Sequence, residues 1–293
     1  MSPALAKRIA GVTRDVGFAV KRLLPAGEAR SIGPFVFLDH MGPARFAAGT
    51  AEGDVRQHPH IGLATVTYLF SGALMHRDSL GTEQRIEPGA VNWMSAGRGI
   101  SHSERIPADI RQTADALHGI QMWIALPTGL EESEPVFRHY PTSDIPVASA
   151  EGASIAVLIG TFRELASPVP SPWDMLYAAL TLEDGASFTW PAGLAERAVY
   201  VAEGSVRIDN ETIPAGHLAV LNDTDATLSA TAASRVMLLG GEPLDGPRHM
   251  WWNFVSRRKA RIEAAREDWE AGRIPRVPGE NDFIPAPPLK RLR

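Results

Sequence analysis

Apolar residues come along this chain in short runs, and most of the runs read as strands. Pro34, Phe35, Val36, Phe37 and Leu38 make one. Residues 64–70 make another, where Thr65, Val66, Thr67 and Tyr68 supply the β-branched and aromatic types that suit a pleated sheet. Residues 90–94 carry Trp93, and residues 117–126 alternate in part. In that stretch Gln121 and Trp123 share one face, while His118, Ile120, Met122 and Ile124 share the other. Residues 16–24 end at Pro25, and the runs 155–159 and 175–182 continue the pattern. Ser71–Gly72, Asp78–Gly81 and Glu87–Pro88–Gly89 read as turns between runs. Asp39 to Pro43 reads as another turn, residues 1–15 as peripheral, and the glutamate- and proline-bearing residues 128–150 as a surface connection.

One segment changes period. Ile262, Ala265 and Trp269 fall at i, i+3 and i+7, which predicts a helix with one apolar stripe. Ser256 is the candidate cap, and Gly272 is well placed to end the helix. The aromatic group Trp251, Trp252 and Phe254 precedes it, too large to sit in water. Five prolines in residues 273–293 predict an extended surface tail.

The chain also echoes itself. Val201–Ala202–Glu203–Gly204–Ser205–Val206 repeats the shape of Leu69–Phe70–Ser71–Gly72–Ala73–Leu74, with the two glycines 132 positions apart. Pro214–Ala215–Gly216–His217–Leu218–Ala219 partly repeats Pro88–Gly89–Ala90–Val91. A duplicated β-barrel or sandwich module explains both echoes. The expected fold is all-β, with modules at 1–150 and 151–293 and a C-terminal helix and tail in the second.

Composition narrows the chemistry. At 293 residues, 44% hydrophobic and 22% charged, the chain is long enough for two ordinary cores. Twenty-nine basic against 34 acidic residues leave a charge of -5, with no global pull toward nucleic acid and no recognition motif for it. Cysteine is absent, which excludes disulfides, thiolate ligands, iron–sulfur clusters and a cysteine nucleophile. No apolar segment of signal length follows Lys7 and Arg8, and no run of 18 apolar residues predicts a membrane span, so a cytoplasmic location is the default expectation.

Any metal must then be held by nitrogen and oxygen, and one stretch offers both. His58–Pro59–His60 opens it and His102–Ser103–Glu104 closes it, with 41 residues between His60 and His102. Side chains two apart on a strand point to one side, so each pair can converge on one point. Three imidazoles and a carboxylate suit mononuclear iron, manganese, nickel or zinc, whereas a lone His-x-His would read as ordinary polar residues. The second module has no such pair, and His217 stands alone. Other polar residues keep two readings. Asp39 and His40 make local hydrogen bonds or wall a pocket; His76 and Asp78 support the metal from behind or lie on a solvated face. Arg98, between Gly97 and Gly99, is a charged pocket residue or a structural clamp.

These pieces together resemble the pirin family of bicupins. The matching residues are Gly33–Pro34–Phe35 with Asp39 and Gly42–Pro43, then His58–Pro59–His60, then Pro88–Gly89 through Trp93, Met94 and Ala96–Gly97–Arg98–Gly99 to His102–Ser103–Glu104. Trp252–Asn253–Phe254–Val255 and Ile284–Pro285 extend the match to the tail. The resemblance implies two stacked cupin modules, the first binding metal and the second metal-free. It carries four iron ligands onto His58, His60, His102 and Glu104. The usual cupin glutamate soon after the histidine pair is missing here, where Leu63, Ala64, Thr65 and Val66 stand, and Glu104 supplies the acid as in pirins. Iron(II) is the implied metal, with manganese, nickel, copper, cobalt and zinc as alternatives. The implied reaction is quercetin 2,3-dioxygenase-like oxygenation of a flavonol or related phenolic by dioxygen; Glu104, a ligand in this reading, is also the candidate proton acceptor. The resemblance equally implies a second class: a metal- or redox-dependent regulator binding a transcription factor or metabolic enzyme. A structural zinc site would explain the donors but not the resemblance.

Overall fold

The apolar runs are strands in the computed structural model, which describes residues 3–113 and 116–288. The fold is all-β, a bicupin with one α-helix near the C-terminus. Contacts divide the chain into two compact units, each assembled from separated segments. One takes the residues up to Arg14, Lys21–His40 and Tyr140–Pro243. The other takes Asp15–Val20, Met41–His139 and the chain from Leu244 onward. Early strands thus join the later half of the chain, while the helix and tail join the half that carries His58 and His102.

In the first of these units, a seven-stranded sheet runs in the order Leu5–Ala10, His217–Leu221, Glu196–Glu203, Ser234–Gly241, Met175–Leu182, Ala153–Ile159, Val147–Ala150. A four-stranded sheet of Ser187–Trp190, Ala226–Ala230, Ser205–Ile208 and Glu211–Pro214 accompanies it. Val157, Leu180, Val199 and Leu238 of the larger sheet share one core with Trp190, Val206 and Leu228 of the smaller. The N-terminal residues expected to be peripheral form the edge strand Leu5–Ala10, antiparallel to His217–Leu221. Only Ile9 of that strand is buried. Its place is set by backbone pairing, which leaves no hydrophobic signature.

The other unit holds a four-stranded sheet in the order Val55–His60, Ile100–Arg105, Leu74–Asp78, Glu83–Ile86. A second sheet includes, in order, Val136–Tyr140, Val91–Ser95, Leu63–Gly72 and Leu117–Ala125. Leu74 and Ile86 of the first sheet cluster with Leu69 and Leu117 of the second. The echoed motifs share their geometry: Gly72 and Gly204 both have positive φ, at 80° and 72°, where a long strand gives way to a short one. Gly89 and Gly216 match as well, at 79° and 81°, each just before its strand.

Three local expectations are corrected. Asp39 to Pro43 is not a turn but part of the strand Phe35–Ala44, because its polar side chains find partners inside the fold. The connection 128–150 contains the strands Val136–Tyr140 and Val147–Ala150 and two single 3-10 turns. The helix spans Lys259–Glu270, and its cap position is Arg258 rather than Ser256. The Ser256 hydroxyl instead donates to Glu131 at 3.0 Å and accepts from the Arg258 N–H at 3.1 Å. The stripe Ile262, Ala265 and Trp269 is buried as expected, against Ile61 and Phe254 among others. Gly272 has φ of 70° just past the helix end. Of the expected tail, residues 289–293 lie outside the described residues.

The described part of the tail braces the strands that carry the histidines. Along Ile100–Arg105 every second side chain faces it: Ser101 donates to the Pro275 carbonyl at 2.6 Å, Ser103 to Glu280 at 2.5 Å and Arg105 to Glu280 at 2.8 Å. On the neighbouring strand, Gln57 donates to the Glu280 carbonyl at 3.1 Å and accepts from the Val277 N–H at 2.9 Å. The two bonds to the Glu280 carboxylate are charge-assisted; such bonds contribute about 1.5–3 kcal/mol when buried and less where water reaches the pair, as it does at Arg105. Glu280→Ala is therefore expected to lower unfolding stability by about 2 kcal/mol with an unchanged urea m-value. Urea titration checks this, and an unchanged midpoint would mean that the tail does not brace the strands.

Candidate metal centre

The centre starts from strand alternation. His58 and His60 are two apart on Val55–His60, and His102 is the register partner of His58 on the antiparallel neighbour. Directly paired residues project on the same face, so three imidazoles meet there. The next strand continues the face: Asp78 pairs with His102, and His76 pairs with Glu104. All six residues are buried.

The ligand-capable atoms of His58, His60 and His102 lie within 4.8 Å of one another. His60 Nε2 and His102 Nε2 are 3.1 Å apart. Two nitrogens each about 2.1 Å from a shared ion, at a right angle, are themselves about 3 Å apart, so this spacing fits a metal. The remaining ring nitrogens are occupied. His58 Nδ1 is 2.9 Å from the Arg56 carbonyl, and His60 Nδ1 is 3.2 Å from the Asn253 carbonyl. A carbonyl only accepts, so both rings carry their proton on Nδ1 and turn the Nε2 lone pair to the centre. The edge of the His60 ring also meets Trp123, with centroids 5.2 Å apart.

Glu104 stands beside this triad rather than in it; the triad alone forms the converging group among the described residues. The register shifts between His102 and Glu104, which realigns the carboxylate relative to the histidine strand. Its Oε1 is buried without a hydrogen-bond partner. A buried, unpartnered carboxylate oxygen next to three imidazoles is the donor a divalent metal would satisfy.

Burial also sets the protonation of the set. It lowers the His58 imidazole to about 4 and holds His60 and His102 well below their ordinary value, with neighbouring histidines adding to the effect. The rings are therefore neutral near pH 7, the state that binds metal. The same burial raises the Glu104 carboxyl to about 7.

The other candidate residues divide. His76 Nε2 is 3.1 Å from Asp78 Oδ2, and His76 Nδ1 is 3.4 Å from His102 Nδ1, so this pair stands behind the triad and not on a solvated face. Asp39 and His40 belong to the other unit. Asp39 accepts two bonds from Arg22, at 2.8 and 2.7 Å, and burial holds its carboxyl above the usual value despite that cation. His40 Nδ1 is 2.6 Å from the Tyr200 hydroxyl. Arg98 is largely exposed, with its guanidinium 2.5 Å from Glu134. Sequence reasoning missed Phe137, stacked on His76 at 4.4 Å, and the Asn253 carbonyl that orients His60. In the sequence the Trp252–Asn253–Phe254–Val255 motif carried only the family resemblance and an aromatic cluster, with nothing to link Asn253 to the histidines.

Comparison with known proteins agrees with this architecture. The pirin family model matches residues 17–124, and that of the pirin C-terminal cupin domain matches residues 177–275. The chain belongs to the pirin family. A pirin-like protein of Caulobacter vibrioides is 44% identical over 94% of this chain and 96% of its own length. A Pseudomonas aeruginosa pirin relative, provisionally named a quercetin 2,3-dioxygenase, is 37% identical over 93% of this chain and 86% of its own. The crystal structure of a quercetin 2,3-dioxygenase from Acinetobacter baumannii superposes with a TM-score of 0.90 at 34% identity, covering 98% of this chain and 97% of the other. Among the described residues of this pirin, no helix is long and apolar enough to cross a membrane.

The buried acid makes stability depend on pH in the metal-free protein. The folded state keeps the Glu104 proton up to about pH 7, while the unfolded chain releases it near 4.5. A raised carboxyl pKa contributes least at high pH, so folding becomes costlier as pH rises through this window. Glu104→Gln does not titrate. Relative to the parent protein it should gain roughly 3 kcal/mol at most between about pH 5 and pH 8, read from urea midpoints of stripped samples. Parallel pH profiles for the two would contradict the assignment.

Proposed function

We propose that this pirin is a mononuclear non-haem iron(II) dioxygenase acting on a flavonol or related phenolic, with His58, His60, His102 and Glu104 as the metal ligands. The convergence of three neutral imidazole nitrogens beside the unpartnered Glu104 oxygen carries the reading. The likeness to proteins named quercetin 2,3-dioxygenase supports the substrate class. The same donor set also accepts manganese, nickel, copper, cobalt or zinc, and iron is the choice that fits oxygenase chemistry.

Iron(II) held by His58, His60, His102 and Glu104 would supply the redox chemistry between a phenolic and dioxygen that neither undergoes alone. The side chains do the rest. Three neutral imidazoles and one carboxylate leave a divalent ion with a net charge of about +1, which favours an anionic phenolate over the phenol. Glu104 would accept the proton of the flavonol hydroxyl at its unengaged carboxylate oxygen and return it to the product. Trp123, beside His60, and Phe137, against His76, line the surroundings with aromatic surface and keep bulk water from the rings. The balanced reaction takes one flavonol and one dioxygen, opens the heterocyclic ring and releases carbon monoxide.

Anaerobic reconstitution with iron(II), followed by oxygen uptake and loss of flavonol absorbance on adding quercetin, tests the reading. His58→Ala and His102→Ala should abolish both metal retention and turnover. Glu104→Gln that keeps iron but loses turnover supports the base role, whereas full turnover in that variant removes it. Stoichiometric iron without oxygen uptake would overturn the oxygenase and favour the regulatory alternative, in which the same site responds to the metal's oxidation state in front of a protein partner.

A further inference from the structure

We infer that Asp78 and His76 are positioning residues that fix the tautomer of His102 and thereby aim its Nε2 at the metal. The chain of contacts is buried throughout: His102 is 2% exposed, His76 3% and Asp78 0%. Asp78 begins it. Its Oδ1 accepts backbone N–H bonds from Leu80 at 2.9 Å and Thr82 at 3.1 Å, so this oxygen is committed to the turn. Its Oδ2 faces His76 Nε2 at 3.1 Å. A carboxylate oxygen accepts, so His76 carries its proton on Nε2. In the neutral His76 ring Nδ1 is then the acceptor, and it lies 3.4 Å from His102 Nδ1. His102 must donate across that contact, which puts its proton on Nδ1 and leaves the Nε2 lone pair facing His60 and His58.

One polarity therefore runs along three groups, set at its far end by two backbone amides. Phe137 holds the intermediate ring in plane, stacked at 4.4 Å and 20°. The strand register explains why the chain exists here: Asp78 and His76 are the cross-strand partners of His102 and Glu104. His58 and His60 are oriented by backbone carbonyls, which cannot be inverted by a side-chain substitution. His102 alone of the three depends on side chains, so its orientation can be reversed by a change of one atom.

Asp78→Asn makes that change. The Leu80 and Thr82 N–H groups still require an oxygen at Oδ1, so the asparagine amide nitrogen must face His76. It donates to His76 Nε2, which moves the His76 proton to Nδ1. His76 then donates to His102 Nδ1, and His102 is left with its proton on Nε2, where it competes with the metal.

The inference rests on the metal-site reading only in its affinity arm; the tautomers are read without metal. In stripped full-length protein, nitrogen-15 shifts should show His102 protonated on Nδ1 and His76 on Nε2. In Asp78→Asn both should reverse. Nickel(II) affinity, measured against a competing chelator, should fall about 10–100-fold, the range typical of lost outer partners of a metal-binding histidine. His76→Phe keeps the stacking on Phe137 and removes the acceptor. It should weaken nickel binding similarly and leave His102 as a mixture of tautomers, and it decides the matter alone if Asp78→Asn does not fold. A lower affinity with an unchanged His102 tautomer would overturn the inference, since it would mark a merely structural role. Unchanged affinity in folded variants would overturn it as well. Parent protein that takes up no nickel would instead fail the metal-site reading and leave the tautomer result to stand by itself.

Discussion

Three imidazole nitrogens are packed against one another in the interior of this protein, and most of the surrounding structure serves to hold them there. Burying them unprotonated is what keeps their lone pairs available to a metal. Desolvation holds all three rings below their ordinary pKa, so lone pairs rather than protons face the centre near pH 7. An imidazole has two nitrogens and could turn either one inward. Arg56, Asn253 and His76 remove that freedom by engaging Nδ1 of each ring in turn. The candidate metal site is thus a problem of orientation as much as of donor supply, and the carboxylate of Glu104 is the one candidate donor with an oxygen still unpartnered.

That requirement accounts for the distribution of the chain. The histidine strands present His58, His60, His102 and Glu104 on one face, and Gln57, Ser101, Ser103 and Arg105 alternate to the other. The second set is where Pro275, Val277 and Glu280 bind. The helix does related work, since its stripe Ile262, Ala265 and Trp269 packs with Ile61, the residue after His60, and with Phe254, the residue after Asn253. Sequence far from the histidine motifs therefore contributes to the rigidity that a metal site needs.

How much of this was legible in the sequence depends on which physics left a trace. Side-chain alternation leaves one, so the strands around Tyr68, Trp93 and Ile120 and the convergence of the two histidine motifs could be read directly. The stripe of the helix could be read for the same reason. Backbone pairing leaves almost none: Leu5–Ala10 looks peripheral because its order comes from the ladder to His217–Leu221. Asp39 and Gly42–Pro43 suggested a turn because turn types cluster there, but Arg22 satisfies Asp39 from 17 residues away and the strand runs on. Local composition cannot show a partner at that distance. The roles of His76 and Asp78 stayed open for the same reason, since a polar pair two apart looks alike on a wet face and behind a metal. Residue spacing and the pirin resemblance both put forward His58, His60, His102 and Glu104 as candidate ligands, and the structure adds why those rings point as they do.

X-ray absorption at the metal edge of the iron(II)-reconstituted protein would count the donors around the ion without reference to any substrate. Three imidazoles and one carboxylate oxygen are expected, with the carboxylate contribution lost in Glu104→Gln and the imidazoles retained. A spectrum with fewer than three imidazoles, or one unchanged by Glu104→Gln, would contradict that ligand set.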